Sequence, residues 1–439
     1  MKFTKPDLHL LVVCIASVVL FAVGGARVFH ASNDFVPVYA GARCLVHGCD
    51  PYDPSQLEPE FFRAGGRPSD LPSWRIDVPV YPPSTFLALS PIALLRFPVA
   101  RLVWFLLNGC LFATAAGLIL SICPPPHRWL ATILVSFFVV TAAILLVLGQ
   151  PAVFAISLVV IGSCLFLRGR LVPLGALLFF LSLAVKPQIG GFIVLYFLAQ
   201  RIYWRYVAFA LAGAALLLLC ASLILGHHPR SAAWASTLRA NLSATLSPGG
   251  SADPRPANPQ AIGDENLQAL TSIFIAKAGQ FNAAAYAIFL ALYGAGMVVV
   301  LRAHRGPELH LVALGALSIL TLMPVYHRFY DTRLLLLSVP AVVVVFQKRR
   351  VLGAVIAVLT VLTTVSVQYR VQMFLLQQGK WQSVLANKLR FILLLRHQNL
   401  VMLFLFLLYL AAIFSLPLSS PPAIEASPVG EPAIPAHRY

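Results

Sequence analysis

The chain has 439 residues, of which 59% are hydrophobic and only 11% charged, with a mean hydropathy of +0.84. A soluble domain of this composition would have too little polar surface to face water, so the chain reads as a polytopic membrane protein. The formal net charge of +17 does not make it a nucleic-acid binder. The basic residues sit in short connections (Arg128; Arg168 and Arg170; Arg201 and Arg205; Arg302 and Arg305; Lys348 to Arg350) that fall on one side when the apolar runs are threaded in alternation, the cytoplasmic side by the positive-inside rule.

In chain order, the first apolar run, 8–28, is long enough to span and is read as a retained helix rather than a cleaved leader. Further spans are expected near 99–122, 129–148, 150–167, 171–185, 188–200, 206–226, 284–301, 309–324, 332–346, 351–368 and 399–417, which places both termini in the cytoplasm. Several are shorter than the ~20 residues a straight span needs, so the expected number is about 10–13. Two short ones flank Lys186-Pro187 and suggest a hairpin whose tip reaches the outer side. Segment 84–95 is a candidate re-entrant or interfacial piece. The tail 419–439, rich in Pro, Ala and Ser, is expected to be a disordered cytoplasmic extension of an integral membrane domain over 1–418.

The longer outward connections are 29–98, 227–283, 325–331 and 369–398, and they hold most of the polar chemistry. The first contains seven of the 15 acids. Within it, Pro37 to Gly48 reads as a short helix closed by glycine, and Asp50-Pro-Tyr-Asp-Pro54 as a turn built by Asp50 and Asp53. Asp34 stands where this helix begins: it is a helix cap or a carboxylate base at a membrane boundary, and its neighbourhood allows both. Tyr81-Pro-Pro-Ser-Thr reads as an extended approach to the next apolar segment, a rigid loop on the membrane surface in the simplest case. Cys44 and Cys49 share the outward loop and are a candidate disulfide. The other five cysteines lie in or at the ends of spans, where they pack as small apolar residues.

Gln150, between Gly149 and Pro151, breaks two spans and satisfies freed backbone groups or faces a ligand. Lys186 is a lone ammonium with no acid near it in sequence, which marks it for anion binding or for snorkelling. Met323 to Arg333 packs an imidazole, two guanidiniums, two phenols and a carboxylate between two spans. Such a set suits phosphate, with His327 able to donate to an anion or shuttle a proton. The plainer reading is an interfacial belt in which Asp331 pairs with Arg333. Segment 369–398 carries Arg370, Lys380, Lys388, Arg390 and Arg396 and no acid, as expected for an interfacial stretch on anionic headgroups or for an inverted topology there. No P-loop, glycine-rich dinucleotide turn, His-Glu-x-x-His or paired-cysteine motif occurs, and His227-His228 lacks a third ligand. No metal and no cofactor are expected, and ATP-driven transport by this chain alone is excluded.

Asn33-Asp-Phe with Tyr39, Gly-Cys-Asp-Pro-Tyr-Asp-Pro, Tyr81-Pro-Pro, Gly149-Gln150, Lys186-Pro187 and the cluster at 326–331 occur in an order that resembles glycosyltransferase family 87. This family includes mycobacterial polyprenol-phosphate-mannose-dependent mannosyltransferases. The resemblance covers about residues 30–345. It implies an all-α GT-C fold, an active site on the extracytoplasmic face of the cell membrane, a polyprenyl-phosphate sugar donor, and a lipid-linked or cell-envelope glycan acceptor. By position it implies Asp34 as catalytic base and Lys186 and His327 near the donor phosphate. Tyr39, Tyr81, Gln150, Arg328 and Tyr330 complete the expected substrate-binding set. Tyr-His-Arg-Phe-Tyr-Asp stands where relatives often show a Trp with adjacent His or Tyr, so Arg328 and Tyr330 match the family pattern least. The competing readings are a flippase or transporter for a lipid-linked anion and an inactive membrane scaffold. A transporter would spread polar residues on both sides of the midplane, whereas here they gather at the outer end of the spans.

Overall fold

The structure is a computed structural model that describes residues 7–28, 34–71, 76–303, 306–365 and 367–415; the expected tail 419–439 lies outside the described residues. The chain folds into α1 (Leu8–Gly25), α2 (Phe35–His47), α3 (Pro54–Arg63), α4 (Pro83–Ala93), α5 (Phe97–Ile122), α6 (Arg128–Thr141) and α7 (Ala143–Leu148). There follow α8 (Pro151–Arg168), α9 (Val172–Val185), α10 (Pro187–Leu198), α11 (Trp204–His227), α12 (Trp234–Leu246), α13 (Leu267–Phe274), α14 (Ala278–Ala303) and α15 (Pro307–Thr321). A 3-10 helix, Phe329–Ser338, leads into α16 (Val339–Lys348), α17 (Arg350–Thr364), α18 (Val367–Gln377), α19 (Trp381–Leu385), α20 (Lys388–Leu395) and α21 (His397–Ser415). Among the described residues, the one pairing outside helices is an isolated antiparallel bridge between Asp264 and Arg328.

Among the described residues, eight helical stretches are long and apolar enough to cross a membrane, and four shorter apolar helices (α9, α10, α15 and α17) join them. They fall on the twelve segments expected from the sequence, giving a polytopic, GT-C-like helical membrane protein. Proline opens α8, α10 and α15 at the first turn, where its missing N–H and fixed φ cost nothing. The bundle is organised around α8, which is buried along nearly its whole length and packs on α5, α9, α10 and the 3-10 helix. By contrast, α11 and α1 are mostly exposed, as suits helices facing lipid.

The described basic residues of the short connections gather at one end of the bundle. Arg128 pairs with Asp7 at 2.8 Å, Lys348 with Glu308 at 3.3 Å, and Arg349 donates to the Ser415 carbonyl at 3.3 Å. The other end carries segments 34–71, 76–98, 228–277 and 322–328. This loop end is a second packed core rather than a loose loop. Phe35 stacks on Trp104 with ring centroids 5.2 Å apart, Phe61 meets Phe97 edge-on at 4.7 Å, and Tyr52 meets Phe86 at 5.5 Å. Aromatic burial of this kind fixes the segment against the ends of α5 and α8.

Several expectations are met in detail. Helix α2 ends at Gly48, whose φ of +73° is the left-handed conformation that glycine adopts without penalty. Asp50 accepts from the Tyr52 amide at 2.9 Å, and Asp53 caps α3 through the Ser55 amide at 2.9 Å, so both acids build the turn. Cys44 and Cys49 form a disulfide, with Cα atoms 4.6 Å apart. Apart from these, most of segment 84–95 belongs to α4 (Pro83–Ala93), which packs on α2, α9 and α11.

Two expectations are corrected. Asp331 does not pair with Arg333; it bonds Lys186 at 2.6 Å and His327 at 3.0 Å, while Arg333 donates to the carbonyls of Thr364 (3.2 Å) and Thr141 (3.1 Å). Residues two apart on a helix with about three residues per turn do not share a face. The basic stretch 369–398 is also not wholly a surface for headgroups. Arg396 is fully buried, donating to the carbonyls of Ala261, Asp264 (3.4 Å) and Pro254 (3.0 Å), which ties segment 250–266 to the start of α21.

Candidate active site

Three helix breaks meet at the loop end, and each delivers a polar side chain. The first is the turn between α7 and α8. Gly149 has φ +73° and its carbonyl accepts from the indole of the buried Trp104 at 2.9 Å. A Cβ on Gly149 would lie 2.6 Å from the Cβ of Phe35, so only glycine lets the turn dock under the start of α2. The turn presents Gln150, nearly buried, whose Nε2 donates to Asp34 Oδ2 at 2.7 Å. The backbone N–H of Asp34 donates to the Leu148 carbonyl at 3.0 Å. Asp34 occupies the cap position of α2, with φ −82° and ψ −17°, yet its side chain makes no capping bond. The carboxylate is therefore available to the site.

The second break lies between α9 and α10. Lys186 has φ −150° and ψ 79°, which interrupts the helical ladder and frees carbonyls at the end of α9. The hydroxyls of Ser84 and Thr85 take them up: Ser84 donates to Ala184 at 2.8 Å and Thr85 to Val185 at 2.9 Å. The Tyr81-Pro-Pro-Ser-Thr segment is thus not a surface loop, since Ser84 and Thr85 are buried. It caps the broken span, and in doing so it brings Tyr81 to the site. The freed backbone groups are satisfied within protein, as a break at membrane depth requires.

The third break is the 322–328 segment before the 3-10 helix. His327 and Asp331 are fully buried. The Lys186 ammonium bonds one oxygen of Asp331 at 2.6 Å and lies 5.1 Å from the Tyr330 ring centroid, while the other Asp331 oxygen faces His327 Nδ1 at 3.0 Å and accepts the Arg328 amide at 3.2 Å. An ionised Asp331 only accepts, so it sets the proton on Nδ1 and leaves Nε2 as the acceptor nitrogen of the neutral ring. That Nε2 is buried and has no hydrogen-bond partner among the described residues. The Arg328 guanidinium stacks on Tyr326 and bonds its hydroxyl, donates to the Ser251 carbonyl at 3.0 Å, and stands 4.0 Å from Asp264.

Electrostatics join the three pieces. Burial raises the Asp34 carboxyl above its ordinary value, and the Gln150 hydrogen bond and the Arg328 and Lys186 charges act against that rise. Exposed Asp77 adds a small push in the same direction as burial. Burial likewise raises the Tyr81 hydroxyl, helped by the carboxylates of Asp34 and Asp331, so Tyr81 stays a neutral donor within the field of both acids. The structure thus brings together Asp34, Tyr81, Gln150, Lys186, His327, Arg328 and Tyr330. Tyr39 is elsewhere: it is buried in the second core with its hydroxyl donating to the Leu95 carbonyl at 2.6 Å.

Sequence reasoning passed over Asp264 and Glu265. Both are buried, and none of their four carboxylate oxygens has a hydrogen-bond partner among the described residues. Burial pushes Asp264 up to about 7 and Glu265 well above the usual range. The Glu265 amide donates to the His327 carbonyl at 2.8 Å, which pairs the backbone of this acidic run with that of the His327 segment. The available signal was the run Asp264-Glu-Asn266 just before an apolar helix, with Asn266 capping α13 through the Ala269 amide at 2.9 Å. Among the described residues no group of three or more His, Cys, Asp or Glu is placed to hold a metal ion.

The chain is similar to glycosyltransferase family 87, whose sequence model matches residues 80–325, more than half of its length. No curated protein and no solved structure matches it. The matched region includes Tyr81, Gln150 and Lys186 and ends just before His327.

Proposed function

The chain belongs to glycosyltransferase family 87 and is a membrane glycosyltransferase, and on that premise we propose that it moves a mannose-like hexose from a polyprenyl-phosphate donor. The acceptor is a lipid-linked or cell-envelope glycan, and the reaction takes place on the extracytoplasmic face of the cell membrane. The observation that carries this reading is the carboxylate of Asp34. It is held by Gln150, free of any capping role, and set in one cluster with Lys186, His327 and Arg328.

In this reading Asp34 accepts the proton of an acceptor hydroxyl as that oxygen bonds to the anomeric carbon. The bond from that carbon to the phosphate oxygen breaks, and its electron pair leaves on the lipid phosphate. Direct displacement inverts the anomeric centre and needs no enzymic nucleophile. The leaving phosphate needs charge stabilisation rather than a proton. An ammonium has three donors, so Lys186 keeps donors for phosphate oxygens beyond the one spent on Asp331, and Arg328 adds the charge of its guanidinium. His327 Nε2 would add a donor when the ring is protonated. Preorganised donors in a partly dry site act more strongly than in water. The neutral Tyr81 hydroxyl suits a sugar hydroxyl. Tyr39 would act only by positioning α2.

The loop end supports a chemical site over a transport path, because the cluster sits at one end of the bundle rather than along it. The test is transfer of labelled sugar from a polyprenyl-phosphate donor by purified protein in nanodiscs. Asp34→Asn, nearly isosteric, should lower the transfer rate by roughly a thousandfold or more while the protein still inserts and melts like the parent. Transfer at the parent rate would remove Asp34 from the mechanism.

A further inference from the structure

A cavity of about 550 Å³ opens beside the cluster, between the end of α1, helices α6 and α7, the 3-10 helix and the junction of α17 with α18. Ile144, Val147 and Phe329 give it apolar walls, and Arg27, Arg333 and Arg370 line it, whereas no carboxylate does. The three arginines come from distant parts of the chain, so only the fold brings them together. Arg333 is nearly buried. Its two terminal nitrogens are held by the carbonyls of Thr364 and Thr141, and its Nε has no partner among the described residues. The acid whose charge acts on it, Glu265, lies outside the cavity lining. The side chains of Arg27 and Arg370 are exposed and form no ion pair among the described residues. Arg370 belongs to the acid-free stretch that the proposed chemistry does not use.

Three guanidiniums without a carboxylate call for an anion of high charge, and walls formed by spanning helices call for a hydrocarbon chain. Inorganic phosphate satisfies only the first demand, and a zwitterionic phospholipid only the second. A long-chain phosphate monoester satisfies both: its second ionisation near 6 gives it a charge of about −1.5 to −2 at neutral pH, against about −1 for a sugar phosphodiester. Helix α7 links the cavity to the reaction centre, because Ala143, Ile144 and Val147 line it while the Leu148 carbonyl holds the Asp34 amide. Phe329 and Arg333 bracket Tyr330 and Asp331 on the same 3-10 helix. We infer that this cavity is the exit site for the spent carrier, receiving the long-chain lipid phosphate monoester after sugar transfer and before its return to the bilayer. The inference rests on the lipid-phosphate donor proposed above.

The experiment measures equilibrium binding of radiolabelled dodecyl phosphate to the full chain in nanodiscs of zwitterionic lipid, separately from sugar transfer. The parent should bind it saturably, didodecyl phosphate should bind at least about tenfold more weakly, and a hundredfold excess of inorganic phosphate should not displace it. The double variant Arg27→Ala/Arg370→Ala, altered only at exposed side chains, should melt like the parent, bind at least about tenfold more weakly, and resist product inhibition by dodecyl phosphate. Asp34→Asn should bind it normally. Unchanged binding by the double variant, or displacement by inorganic phosphate, overturns the exit site. If the parent transfers sugar from a polyprenyl-phosphate donor yet does not bind the monoester, the exit site fails and the donor reading stands. If it does neither, both fall.

Discussion

Lys186 and Asp331 form a fully enclosed ion pair at 2.6 Å, and each is the other's main compensation. Removing one partner of such a pair leaves a buried charge and costs about 3–5 kcal/mol, whereas replacing both is often nearly neutral. Lys186→Met alone should therefore lower the melting temperature strongly, and Lys186→Met/Asp331→Asn should recover most of the loss. If the ammonium also serves the phosphate, the double variant will be stable but slow in transfer; recovery of both would limit Lys186 to a structural role. Asp34 allows a second test at this scale. As a base it must be ionised, so activity falls as pH falls through its pKa. Burial raises that value above the ordinary 3.8, so the acid limb of kcat/KM should lie above the usual carboxylate range. A limb at or below that range would contradict the assignment.

Among the elements, the joints matter more than the spans. The α7–α8 turn sets both Gln150 and the backbone of Asp34, and it depends on Gly149. Gly149→Ala would force alanine into a left-handed conformation and press its Cβ on Phe35. Strain of this kind costs on the order of 1–3 kcal/mol, and its relief must shift α2 away from the turn. The expected outcome is a lower melting temperature together with a transfer rate reduced more than stability alone explains, read from thermal scans and single-turnover transfer. Parent-like transfer at reduced stability would show that the Asp34–Gln150 contact does not depend on this turn. The break at Lys186 shows the same logic. Its freed carbonyls are taken by Ser84 and Thr85 from 100 residues away, so a motif that looked like a surface approach is a cap on another element.

For the whole molecule, the loop end is held to the bundle by polar contacts converging on segment 250–266. The Asp264 carbonyl accepts from Arg396 and from Asn399 at 3.1 Å, and its backbone bridges Arg328. Its side chain makes stability depend on pH. Below its unfolded value near 3.8 both states hold the proton. Between there and about 7 the unfolded chain releases the proton while the folded chain keeps it. Stability therefore falls as pH rises across this window, by up to a few kcal/mol, roughly 1.4 kcal/mol per unit of difference, and then levels off. Asp264→Asn should flatten that part of the melting-temperature profile, with a residual slope from Glu265, whose carboxyl is also raised. A profile unchanged by the substitution would mean that Asp264 is charged in the fold.

The membrane class, the twelve apolar segments, the α2 helix with its glycine stop, the turn acids and the family were legible in the sequence. Apolar run length, periodicity and turn residues act locally, and a membrane leaves few alternatives to helices. Sequence also singled out Asp34, Gln150, Lys186 and the 326–331 cluster, because polar groups beside apolar runs are costly and stand out. Only the tertiary structure decided which of these groups face one another. It gave Lys186 to Asp331 across 145 residues, set Gln150 on Asp34, left Tyr39 in a separate core, paired the backbone of Asp264 and Glu265 with that of Arg328 and His327, and gathered Arg27, Arg333 and Arg370 around one cavity. A charge finds its partner through space, and the packing of helix ends, which no local pattern encodes, determines that distance.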